Sequence, residues 1–108
     1  MNAYQQTDLL LKIDVKDNEG VPLDLKGCTL FFSLFDRTKE MFEKSLGNGI
    51  EIINEATGQI EIDLRSSDLS LPSGDYTAEL IVVDADKRRY VALQEQFIIQ
   101  TSLSKELI

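Results

Sequence analysis

Chemistry at neutral pH most often leans on histidine, and this sequence contains none. The commonest general base and the commonest transition-metal ligand are lost together. The single cysteine, Cys28, excludes an internal disulfide and a thiolate zinc site. Its neighbours in "KGCTLFF" are apolar and β-forming, which suits a small buried hydrophobe rather than an activated thiolate. Two acid pairs, Asp84 with Asp86 and Glu61 with Asp63, have the residue types that glycoside hydrolysis requires. Each pair is spaced i,i+2, which on a strand puts both carboxylates on one solvent face. Solubility accounts for them. A Ser-x-x-Lys match, Ser102 to Lys105, falls in the terminal tail, and no Gly-x-Ser-x-Gly elbow is present. The oxygen-rich turns "DNEG" (Asp17, Asn18, Glu19) and "DADK" (Asp84, Asp86) could hold calcium only if they met in space. Neither matches the twelve-residue loop of a helical hand. No catalytic group, cofactor or metal site is expected.

With 108 residues, the chain has room for one core and one domain. Its net charge is −8, from 19 acidic against 11 basic residues. That field repels nucleic acid and anionic membrane alike, and the short basic run "DKRR" sits among acids. The opening "MNAYQQTDLLLK" lacks a basic region followed by a long apolar run, so no export signal is expected. No apolar stretch reaches the length of a spanning helix. Synthesis in a cytoplasm without disulfides fits all of this.

The elements that must position any surface follow a period of two. Leu9, Leu11, Ile13 and Val15 alternate with Leu10, Lys12, Asp14 and Lys16, the pattern of a half-buried strand. "DNEG" then turns the chain at Gly20, and Pro22 limits "VPLDLKG" to an extended edge segment. "CTLFFSLF" gives a second strand, with Cys28, Leu30, Phe32 and Leu34 on one face and Phe31 and Phe35 on the other. Between Asp36 and Gly49, Met41, Phe42 and Leu46 fit either a helical turn or a strand near Met41–Ser45, with the strand favoured. Ile50–Asn54 and Gln59–Leu64 flank "EATG" as a hairpin whose inward row is Ile60, Ile62 and Leu64. "RSSDLSLPSG" predicts one helical turn around Ser67–Leu69. Tyr76, Ala78, Leu80 and Val82 then form the inward row of a long strand. A last pair of short segments, Arg89–Leu93 and Glu95–Gln100, leads into a polar tail. Seven or so short strands without a long amphipathic helix predict an all-β sandwich or small barrel.

Three stretches carry a family resemblance: "DLLLKIDVKDNEGVPLDLKGCTLFFSLFD", "GIEIINEATGQIEIDL" and "LPSGDYTAELIVVDAD". The chain resembles the amino-terminal immunoglobulin-like domain of phage baseplate upper proteins from about Asp8 to Gln100. The resemblance implies an immunoglobulin-like antiparallel β-sandwich, with residues 1–7 as an arm and 101–108 as a tail. It implies structural turns at Gly20, Gly27, Gly58, Pro72 and Gly74. It also implies a corner at Tyr76, whose hydroxyl reaches backbone while its ring covers a sandwich end. The sequence departs from the family at "DADKRRY", where a glycine usually follows the acid pair, and it stops soon after the domain.

The implied function is non-catalytic assembly within a virion tail, through contacts with other tail or baseplate subunits or with further copies of itself. The outward apolar residues Leu10, Phe31, Phe35, Ile81 and Val83 are the candidates for such contacts, unless another layer covers them. The competing expectation is a carbohydrate-binding or adhesive sandwich, for which only Tyr4, Tyr76 and Tyr90 could stack on sugars.

Overall fold

The computed structural model describes residues 1–101, which form eight strands and no helix. They are β1 (Asn2–Tyr4), β2 (Leu9–Asp14), β3 (Thr29–Asp36), β4 (Lys39–Leu46), β5 (Gly49–Asn54), β6 (Gln59–Leu64), β7 (Gly74–Val83) and β8 (Arg89–Gln100). Hydrogen bonding orders them β1-β8-β7-β3-β4-β5-β6-β2 in one continuous sheet. The expected count of about seven is thus eight, and the sheet is mostly antiparallel with parallel pairs at β1–β8 and β4–β5.

One buried cluster explains the shape. Leu30, Phe32 and Leu34 of β3, Ala78, Leu80 and Val82 of β7, and Phe97 and Ile99 of β8 join Ile50 of β5 with Ile60, Ile62 and Leu64 of β6. Side chains from both ends of the strand order share one core, so the sheet is bent round it. Alternation supplies these rows, because successive side chains leave opposite faces of a strand. The bend falls between β4 and β5, which share only the pairs Ser45↔Gly49 and Leu46↔Ile50. There Asn48 donates to the Ser45 carbonyl at 2.8 Å and Gly47 to the Ile50 carbonyl at 3.0 Å.

Two expectations need correction, on β8 and on residues 1–7. The segments Arg89–Leu93 and Glu95–Gln100 are one strand, β8, with a bulge: Leu80 pairs with Leu93 while Ile81 pairs with Val91. Ala92 is the extra residue, and the bulge absorbs the break in alternation that looked like a strand end. The helical turn expected around Ser67–Leu69 is present as a single turn, in which Asp68 and Leu69 both donate to the Arg65 carbonyl, and Leu69 is buried in the core. Cys28 lies one residue before β3, half-buried, and packs against the core on the side of Leu30, Phe32 and Leu34. Residues 1–7, expected as an arm, contribute β1, which lies parallel to β8 with Ala3 buried.

Loops close the ends of the core. At one end Gln5 Nε2 donates to the Leu71 carbonyl at 2.9 Å, Ser66 N to Asp8 Oδ1 at 2.7 Å, and the Tyr76 hydroxyl to the Pro72 carbonyl at 2.6 Å. At the other, Leu25 is buried and its amide donates to the Glu55 carbonyl at 2.9 Å.

Candidate interaction surface

The outer face of β8, β7, β3 and β4 is built by register. Phe31 stands opposite Ile81 and Ser45, and Ile81 opposite Val91. This gives an apolar row, Phe31–Ile81–Val91, lying across three strands. The next row reads Glu43, Ser33, Glu79 and Gln94, and the one after it Glu40, Phe35, Thr77 and Gln96. On the far side of the apolar row, Val83 pairs with Arg89. Phe31, Phe35 and Ile81 line an open groove of about 190 Å³ with Ser33, Glu40, Glu43, Glu79 and Arg89. None of Phe31, Phe35, Ile81 and Val83 packs against the core. They are half-buried by one another and by their polar neighbours.

Leu10 is elsewhere. It is half exposed on β2, in the layer on the other side of the core, beside a wider groove lined by Gly47, Gly49, Ile50, Glu51, Glu61 and Asp63. Of the five apolar candidates, the fold brings four together and leaves the fifth apart. Val91, 50 % exposed, completes the row and was missed, because the bulge at Ala92 changes which residues of β8 face outward. A Val facing an Ile across an antiparallel pair is a signal, but it needs the register to be known.

The acids of the two oxygen-rich turns are occupied by backbone. Asp17 Oδ1 accepts from the amides of Glu19 and Val21 at 2.8 and 3.0 Å. Asp84 Oδ1 accepts from those of Asp86 and Arg88, both at 2.9 Å. The same five-residue turn is built twice, closed by Asp17 N to the Val21 carbonyl and by Asp84 N to that of Arg88. Its fourth residue has positive φ in both copies, +80° at Gly20 and +64° at Lys87. Among the described residues, no group of three or more cysteines and carboxylates is placed to hold a metal ion. The acid pair Glu61 and Asp63 does share the outer face of β6, where Asp63 pairs with Arg65 at 2.9 Å. The Ser-x-x-Lys match lies outside the described residues.

The remaining turn residues are where backbone geometry demands them. Gly27 and Gly58 have φ of +75° and +74°, and Gly74 opens β7. Gly58 is also a point of close approach: an added Cβ would lie 2.5 Å from the Val15 carbonyl oxygen and 2.8 Å from that of Leu23. Tyr76 is buried, and burial, with Asp36 nearby, pushes its phenol above the ordinary value. Burial likewise raises Tyr90, which packs on the core, so of the three tyrosines only Tyr4 is exposed. The Cys28 thiol is raised by burial and by Asp84, Asp24 and Glu55, the reverse of an activated thiolate.

A small chain with one bent sheet, backbone-committed loop acids and an apolar row on an outer face belongs to the all-β class of proteins. The sequence match is specific within that class. Residues 5–108 match the family model described as the BppU N-terminal domain, and the chain belongs to that family, the amino-terminal domain of phage baseplate upper proteins. Its role is that of a structural domain in a phage tail. No curated protein matches the chain. Among solved structures, the V domain of amphioxus IgVJ-C2 is similar at 15 % identity, over 93 % of this chain and 99 % of that one, with a TM-score of 0.33.

Proposed function

We propose that this domain is a non-catalytic assembly element of a baseplate, folded as an immunoglobulin-like sandwich and held in place by protein–protein contact through the outer face of β3, β7 and β8. The supporting observation is the row Phe31–Ile81–Val91, which belongs to no core and lies on the outer face with Val91 exposed and Phe31 and Ile81 half-buried. Apolar side chains aligned across three strands form a continuous patch, and such patches bring affinity when covered. The rest of the molecule supports a scaffold role, since its loop carboxylates cap turns and its thiol is raised.

The test is substitution of the row in the phage genome. Phe31→Ser with Ile81→Thr should leave the isolated domain folded, with unchanged far-ultraviolet circular dichroism, while incorporation into purified tails falls at least roughly tenfold, as loss of an apolar anchor predicts. Normal incorporation of a folded double variant would sink the reading.

A further inference from the structure

Resting on that reading, we infer that the outer face receives a cationic surface of a different protein and not a second copy of this chain. The groove around the apolar row presents three carboxylates, Glu40, Glu43 and Glu79, against the single guanidinium of Arg89. Two such faces brought together would press six carboxylates against two guanidiniums, on chains that each carry −8. Like charges juxtaposed at an interface are a means of rejecting the wrong partner. The same arrangement favours arginine or lysine on the incoming surface. Glu40 faces Phe35 across β3–β4, and Glu43 faces Ser33, which lies between Phe31 and Phe35. A side chain from the partner can lay its aliphatic stem along these rings and place its charged head at the carboxylates. Glu79 is already oriented, because Gln94 Nε2 donates to its Oε2 at 2.8 Å.

The experiment titrates the whole chain, labelled for amide NMR, with two synthetic peptides. One alternates leucine with lysine, and the other has glutamate in place of each lysine. The lysine peptide should shift the amides of Phe31, Glu43, Ile81 and Val91 saturably and bind roughly tenfold more weakly at high salt. The glutamate peptide should leave them unmoved, and Glu40→Lys with Glu43→Lys should abolish the response. Shifts centred on Leu10, Glu51 and Glu61, equal binding of both peptides, or a dimer in sedimentation that buries Phe31 would each overturn the inference. In assembled tails the two readings separate. If Phe31→Ser with Ile81→Thr blocks incorporation while the Glu40/Glu43 reversal does not, the cationic partner fails and the docking face stands. If neither blocks it, the docking face fails as well.

Discussion

Lys87 and Gly20 occupy the same place in two copies of one turn, yet only glycine adopts positive φ without a steric penalty. At Lys87 the Cβ bears a cost of about 1 kcal/mol. Lys87→Gly should therefore stabilise the domain by about 0.5–1 kcal/mol, seen as a higher midpoint in urea. Gly20→Ala should cost about 1 kcal/mol for the same reason. Gly58 differs, because its added Cβ would meet two carbonyl oxygens that belong to the β2 extension and the crossing loop. Backbone cannot move aside as a side chain can, so Gly58→Ala should cost upward of about 2 kcal/mol. Equal stability of the Gly20 and Gly58 variants would contradict that distinction. The glycines themselves are plain in the sequence. That Gly58 is a point of close packing is not, since its neighbours Val15 and Leu23 come from segments distant in sequence.

At the scale of elements, the strand leading out of Pro72 is anchored by the Tyr76 hydroxyl on the Pro72 carbonyl. The folded phenol titrates above its ordinary value of 10.0. The group's contribution is then complete below the unfolded value and lost as pH rises through the higher folded one. Tyr90 is raised in the same way, and Cys28 above its ordinary 9.0. Alkaline titration should therefore destabilise the native domain from about pH 9 upward. Tyr76→Phe should remove only its own share of that slope, above about pH 10, while costing about 1 kcal/mol near neutrality. Thermal melts across alkaline pH would show it. The rows that make β2, β3, β6 and β7 are legible because one buried face imposes strict alternation. β4 was ambiguous with a helix because its hairpin with β3 turns at Arg37, with φ of +59° and no glycine to announce it. β1 is three residues long, too short for any period, and is held mainly by β8.

For the whole molecule, alternation says which side chains point outward but not which of two layers they leave. That is why Leu10 was grouped with Phe31 although the core separates them: the sheet order is non-local information. The acidic field has its own consequence on the Leu10 side. Glu51 and Glu61 are directly opposed across β5–β6, and like charges so placed are destabilising. Glu51→Lys should raise stability by about 0.5 kcal/mol at low salt, and added salt should erase the gain as screening takes over. A melting temperature indifferent to both would show that the surface field is already relaxed.

The longest ladder also has a mechanical meaning. β8 is bonded to β7 from Gly74↔Ile99 to Val83↔Arg89, and β1 holds its other edge near Ile98. Tension applied at Gln100 along the strand runs parallel to this ladder. Its hydrogen bonds are then loaded together in shear instead of parting one after another like a zip. A pull along β8 therefore meets the longest ladder of the sheet, with β1 paired along the strand's other edge.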